Sequence, residues 1–291
     1  MRPIADNTII QVEIVVGACH LSCANCTRFI GHHRKPMFMD LDMVRKAIRS
    51  LEGFPGRVGC MGGEPTLHPK FREVLEIYRE ELPKDKREFW TSGWKWDEYK
   101  DDILETFHEN RIAYNDHSQR TGRHAPLLVA IEEVIEDPEL RRILIDNCPF
   151  QARWSASITP KGAFFCEIAA AQDWLLDGPG GYPIEPGWWK KTPAEFQDQV
   201  ETYCGKCSGA LPLEPRSDNR GGRDGLSVDV VSPNNLERLK AAGSPRISAG
   251  GYEVFDEKWT EEDIKKRVEV WNPRSFRDFE AHTPEDYEAV K

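Results

Sequence analysis

Long apolar runs are missing from this 291-residue chain, and no stretch is long enough to cross a bilayer. Its opening, Met1-Arg2-Pro3-Ile4-Ala5-Asp6, also lacks the apolar core of a secretion signal. Together these absences predict a cytoplasmic protein with no membrane partner. Excess positive charge is lacking too. Against 49 Asp and Glu stand 39 Lys and Arg, a formal net charge of −10 that argues against a nucleic-acid partner. One basic cluster runs against that balance, at Arg28, His32, His33, Arg34 and Lys35. Its simplest reading is a solvated loop; the alternative is a contact for an anionic substrate or a redox partner. Hydrophobic content of 39% is ordinary for a globular protein, and the length suits one large core with a small appendage.

Cysteine, by contrast, is plentiful. Eight of them in a chain without a secretion signal point to metal ligation rather than a disulfide framework. They fall into a group of three (Cys19, Cys23, Cys26), a single Cys60, and a group of four (Cys148, Cys166, Cys204, Cys207). The first group sits on the loop leaving a β-branched run over 9–16 that reads as a buried strand. Three sulfurs at this spacing can converge on one metal centre. They are one short of the four thiolates that normally hold a cubane, which leaves a position open for a substrate or cofactor.

The spacing resembles the cluster motif of the radical S-adenosylmethionine (radical SAM) superfamily. A second element strengthens the resemblance: Met61-Gly62-Gly63-Glu64-Pro65-Thr66, after a short apolar run, is similar to the family's GGE motif. Phe89-Trp90-Thr91-Ser92-Gly93 is a third, weaker match. The resemblance implies that Cys19, Cys23 and Cys26 hold a [4Fe-4S] cluster whose fourth iron is chelated by SAM. It also implies that Gly62, Gly63 and Glu64 hold the SAM amino group, with Ser92, Asn115 and Ser118 as candidate ribose or carboxylate contacts. Glycine suits such a loop because backbone without a Cβ can approach a ligand closely. One position departs from the pattern. The family usually has an aromatic residue just before the third cysteine, near the SAM adenine, and here it is Asn25, so the adenine must be held differently. The alternative for the same thiols is a zinc site or buried free cysteines.

Along the chain, strands over 57–60, 88–91 and 111–115 alternate with helices over 43–51, 69–82 and 96–109, and 125–135 reads as an apolar helix. Asp40 is the expected N-cap of the first helix. Such alternation predicts an α/β fold with a parallel sheet, ligands lying beyond the carboxyl ends of the strands. By resemblance this is a partial, abbreviated (β/α)6 radical SAM barrel. Its last strands are either absent or supplied by 153–158 and the segment after it. From Cys148 the pattern changes to a hairpin, a helix and the knuckle Cys204-Gly205-Lys206-Cys207. A cysteine, a hairpin ending in cysteine and a CxxC resemble the twitch module, the short form of the SPASM extension, which binds an auxiliary [4Fe-4S] cluster. The expected units are a barrel over 1–147, a twitch-like module over 148–215, and an α/β tail over 216–291. The tail carries no motif, and completing the core is its simplest role.

What the resemblance implies chemically is a radical SAM oxidoreductase. A 5′-deoxyadenosyl radical takes hydrogen from a small polar substrate, a base takes a proton, and the auxiliary cluster takes the remaining electron. Candidate bases or substrate contacts are Asp116, His117 and His124. An electron donor such as flavodoxin or ferredoxin is the expected partner. Only 18 residues precede Cys19, too few for a leader-peptide-binding domain. The layout is similar to small twitch-bearing dehydrogenases of sugars and cyclitols. Trp90, Trp94 and Trp96 near the barrel mouth would suit a sugar, cyclitol or nucleoside. A radical SAM epimerase or peptide-maturing enzyme is the alternative. There Cys60 would return a hydrogen atom, although a lone cysteine on a strand is more simply a small buried residue. A zinc-bearing binding protein without radical chemistry is the third reading.

Overall fold

The computed structural model describes residues 1–115, 123–217 and 227–270. Its main sheet contains β1 (Ile9–Val16), β2 (Met37–Phe38), β3 (Arg57–Gly62), β4 (Arg87–Thr91) and β5 (Ile112–Tyr114). Beyond the short β6 (Arg123–His124), which lies elsewhere, the sheet is completed by β7 (Ala156–Thr159) and β8 (Gly162–Phe164). The order is β5-β4-β3-β1-β7-β8, with β2 antiparallel on β1. From β5 to β7 every pairing is parallel. Helices α1 (Leu41–Arg49), α2 (Phe71–Glu81) and α3 (Trp96–Thr106) make the crossovers. The Asp40 carboxylate caps α1, accepting from the Met43 amide at 2.8 Å.

Strand alternation decides what each face of the sheet does. Ile10, Val12 and Ile14 of β1 join Val58, Cys60 and Phe89 in the large core against the helices. The residues between them, Gln11 and Glu13, project from the opposite face and are buried as well. Both faces of β1 are therefore covered, as in a central parallel strand, but one of them is polar.

One open alternative is decided and one expectation changes. The hairpin β7–β8 is part of the main sheet: Ile10 to Val12 of β1 pair in parallel with Ala156 to Ile158. The sheet's far edge thus comes from the segment after 153. The run over 125–135 is not one helix. Most of it is extended, with Leu128 bridging Val231, and only α4 (Ile131–Val134) is helical. The extended part, 125–130, is buried without regard to face, and periodicity cannot separate a buried extended run from a buried helix. The segment after it forms α5 (Pro138–Asp146) and α6 (Pro149–Arg153), followed beyond the hairpin by α7 (Glu167–Leu175) and α8 (Gln197–Tyr203).

After β9 (Arg216–Ser217), paired with β6, the tail contributes β10 (Asp229–Val231), α9 (Pro233–Ala241), α10 (Pro245–Ser248), β11 (Tyr252–Val254) and α11 (Glu261–Val270). Val230, Trp259 and Ile264 from this tail close a second core over Val129, Ile131, Val134 and Leu211. Among the described residues no helix is long and apolar enough to cross a membrane.

Candidate active site

A cleft of about 790 Å³ opens at the carboxyl ends of β1, β3, β4 and β5. That volume suits a cofactor or small metabolite. Its wall brings together Cys19, Cys23 and Cys26 from the loop after β1, Gly62 and Gly63 at the end of β3, Ser92 after β4, and Asn115 after β5. His124 also lines it, with Nδ1 2.9 Å from the Ala24 carbonyl. Asp116, His117 and Ser118 lie outside the described residues.

Backbone amides are aimed at the loop's sulfurs. The Leu21 amide is 3.4 Å from Cys19 Sγ, and those of Arg28 and Ile30 approach Cys26 Sγ. Burial nonetheless dominates both thiols, pushing Cys19 up to about 12 and raising Cys26. Sulfur that accepts several N–H bonds in a thiol-rich, partly buried loop is well suited to thiolate ligation of iron. Among the described residues no three His, Cys, Asp or Glu side chains are gathered so as to hold a metal ion as they stand. Drawing such ligands together is part of what metal binding itself does.

The Gly-Gly-Glu loop is stitched to the cysteine loop. The Gly63 amide donates to Val15 O at 2.9 Å and that of Glu64 to Ala18 O at 3.0 Å, one residue before Cys19. A methyl group at Gly62 would overlap Val15 O, and one at Gly63 would overlap Ala18 O. Gly62 is thus required by the close approach of the end of β1, and Gly63 by that of the first cysteine loop. Glu64 is fully buried and stands behind the cleft wall. Its Oε1 accepts from Thr91 Oγ1 at 2.9 Å and Thr66 Oγ1 at 2.8 Å. Its Oε2 accepts from Ser92 Oγ at 2.6 Å and the Ser92 amide at 2.8 Å. The carboxylate expected to face a ligand therefore positions Ser92 instead.

The polar face of β1 forms the cleft's inner end. Arg28, two residues past Cys26, is buried between two carboxylates, 3.3 Å from Glu13 and 2.8 Å from Glu167. Ser157 Oγ donates to Glu13 at 2.6 Å and Ser155 Oγ to Glu167 at 2.7 Å. Burial raises Glu13 above its ordinary value, against the pull of Arg28. Burial acts to lower Arg28, but the two carboxylates outweigh it and hold the guanidinium charged. His32 is buried as well. The basic cluster is therefore no solvated loop: two of its members are interior groups that fix the cysteine loop. Arg57 pairs with Glu88 along the same wall, and Trp90 Nε1 donates to Glu88 at 2.9 Å.

Of the three tryptophans, Trp90 lines the cleft, Trp94 stacks on His20 with ring centres 4.5 Å apart, and Trp96 packs against Tyr114. Cys60 does not reach the cleft, which corrects its candidate role as hydrogen donor and leaves the simpler reading, a small buried residue. It is fully buried on the helix-facing side of β3, beside Tyr78, with its thiol pushed up by burial. Its neighbours in the strand, Arg57 and Met61, carry the cleft-facing parity. It has no route to a substrate there.

The four later cysteines line one small apolar pocket of about 30 Å³, with Phe150, Phe165, Ile168 and Tyr203. An ideal Cβ at Gly209 would stand 3.4 Å from Cys207 Sγ and 3.5 Å from Cys148 Sγ, so both sulfurs flank one spot. Cys148 and Cys166 occupy the N-cap positions of α6 and α7, where amides of the first turn approach their sulfurs. All four thiols are raised, first by burial, Cys166 to about 12. Among the described residues no carboxylate or histidine lines the pocket; its polar side chains are Gln151, Gln172 and Tyr203. Four thiols in a largely apolar wall are ligands that suit an iron–sulfur cluster and also suit zinc.

No protein-family model matches the chain, and no curated protein matches it. Among solved structures the chain is similar to a selenomethionine form of BtrN in an open conformation. That match has 16% identity and a TM-score of 0.41, covering 71% of this chain and 90% of that one. It is also similar to BtrN in complex with AdoMet and 2-DOIA, at 16% identity and a TM-score of 0.43, covering 69% and 88%.

Proposed function

We propose that this chain is a radical SAM oxidoreductase that oxidises a small polar, hydroxyl-bearing molecule, a sugar, cyclitol or nucleoside. The observation that supports it best is the meeting of Cys19, Cys23, Cys26 and the Gly62–Gly63 loop on one cleft at the carboxyl ends of parallel strands. Cys19, Cys23 and Cys26 would hold the SAM-binding [4Fe-4S] cluster. Cys148, Cys166, Cys204 and Cys207, in a twitch-like module, would hold the auxiliary one. When bound, these groups and SAM supply a carbon radical and a sink for electrons.

The chain's own residues do the rest. The backbone at Gly62 and Gly63 receives the SAM amino group. Ser92, oriented by Glu64, and Asn115 contact the ribose or carboxylate, with Ser118 as a further candidate. Gln11 lies at the inner end of the cleft, and its buried Oε1 has no donor among the described residues. Asp116 and His117 are the proposed proton acceptors. Electrons would come from a flavodoxin- or ferredoxin-like donor. The epimerase reading loses its hydrogen donor with Cys60 in the core.

Anaerobic turnover with candidate polyols, followed by mass spectrometry, tests the proposal. The product is expected to lack two hydrogens, with no solvent deuterium fixed on carbon. Cys166→Ala is expected to lower product formation at least about 100-fold while SAM cleavage continues, the mark of a group needed after hydrogen abstraction. A product of unchanged mass carrying one deuterium would refute oxidation.

A further inference from the structure

The loop over 17–36 carries the first three cysteines, yet it has little structure of its own. A single 3₁₀ turn, Ile30–His32, interrupts it, and its internal backbone bonds are few, such as Phe29 N to Cys26 O at 2.9 Å. Ordering a segment of this length costs conformational entropy that local contacts here do not offset. The compensating contacts come from about 200 residues away.

Asp229 at the start of β10 and Arg246 in α10 reach into the loop from above. Asp229 Oδ1 accepts from the Asn25 amide, and Oδ2 accepts from His32 Nε2 and Arg246 Nη1, each at 2.6 Å. Arg246 Nη1 donates to Cys23 O at 3.0 Å, and its Nη2 to Ser22 O at 3.0 Å and Ser22 Oγ at 2.8 Å. Ser244 Oγ faces His32 Nδ1 at 2.8 Å. The guanidinium lies flat on Gly31, where any side chain would collide with it. The side chains of His32, Asp229 and Arg246 are at most 3% exposed. Asn25 completes the contact: it is in the left-handed region at φ 50°, and its Oδ1 accepts from the Val230 amide at 3.0 Å. Asparagine is among the residues favoured in that backbone, and its side-chain oxygen mimics a strand's hydrogen bond, which an aromatic side chain would not do. The residue that departs from the radical SAM pattern is the one the tail holds.

We propose that Asp229 and Arg246, acting through Asn25 and the carbonyls of Ser22 and Cys23, are positioning residues for the three-cysteine loop. The segment over 227–254 is then a built-in clamp that sets the conformation in which Cys19, Cys23 and Cys26 meet the cleft. Only the identity of what the loop holds rests on the proposed function; the clamp itself does not.

The test is chosen so that the two fail separately. In the full-length chain freed of iron, alkylation rates of individual cysteines are read by peptide mass spectrometry. Such rates report local opening when the rest of the fold stays closed. Asp229→Asn is expected to speed labelling of Cys19, Cys23 and Cys26 by about tenfold or more, with Cys148, Cys166, Cys204 and Cys207 unchanged. Where that variant gives no soluble protein, Asn25→Ala, which leaves every buried charge paired, is expected to give about three- to tenfold at the same three sites. Unchanged labelling, or an equal rise at all seven thiols, overturns the clamp. In the iron-loaded chain, the paramagnetic signal that Cys23→Ala removes is expected to shift in Asp229→Asn, and the signal that Cys166→Ala removes to stay. A loss of stability alone would not single out one cluster.

Discussion

Arg28→Met is expected to destabilise the protein by about 3–5 kcal/mol at neutral pH, the usual consequence of removing one partner from a buried ion pair. Arg28 is the cation between Glu13 and Glu167, and its loss leaves both carboxylates in the interior. Their remaining partners, Ser157 and Ser155, are neutral hydroxyls. The loss should depend on pH, with a definite sign. Burial already raises the Glu13 carboxyl, Glu167 adds to the effect, and Arg28 with Ser157 opposes it. Without Arg28 it rises further. A carboxyl whose folded value lies above its unfolded one takes up a proton on folding. Its contribution is complete below the unfolded value and is lost as pH rises through the folded one. The deficit of Arg28→Met should therefore be largest at about pH 8 and shrink towards about pH 5, as urea unfolding at the two values would show. An equal deficit at both would mean that the carboxylates are not the cause.

The second large effect is expected from Glu64→Ala. This carboxylate gathers Thr66, Thr91 and both polar groups of Ser92 at a fully buried point. Removing it strands the amides of Thr66 and Ser92 and the Thr91 hydroxyl, each at about 1–3 kcal/mol. The Thr66 hydroxyl keeps a second acceptor, the Trp94 carbonyl at 2.8 Å. With each cost at the low end of that range, a total near 3–4 kcal/mol follows, a fall of roughly 6–12 °C in Tm for a chain of this size. Glu64→Gln, which keeps one acceptor oxygen, should lose about half as much. Because Ser92 faces the cleft, SAM binding measured by equilibrium dialysis should weaken by about tenfold in Glu64→Ala even below the melting transition. Unchanged binding would make Glu64 a stabilising residue with no bearing on the site.

How much of this was legible in the chain depends on the range of the interactions involved. β1, α1 and its Asp40 cap, α2 and the carboxyl-end loops rest on local periodicity and capping, which neighbours along the chain decide. Gln11 and Glu13 inside an apolar β-branched run were the available signal of a polar interior, since a buried carboxylate needs a partner. That signal points to no particular arginine. Arg28 and His32 read as solvated because composition reports charge and not the carboxylates that pair with it from β1, α7 and β10. The role of Asn25 was hidden for the same reason: its partners lie about 200 residues away. Hairpin β7–β8 was visible as a hairpin, but its docking beside β1 is a non-local pairing that no turn residue encodes.

The proposed role of Cys19, Cys23 and Cys26 is to hold a cluster that opens one iron to SAM. Anaerobic reconstitution followed by strong reduction in the presence of SAM tests it most directly. About eight irons per chain are expected, falling to about four in Cys23→Ala, as two [4Fe-4S] clusters require. Formation of 5′-deoxyadenosine and methionine is also expected from the unaltered chain, and none from Cys23→Ala. Zinc without iron, or a reduced iron-loaded protein that leaves SAM intact, would contradict that role.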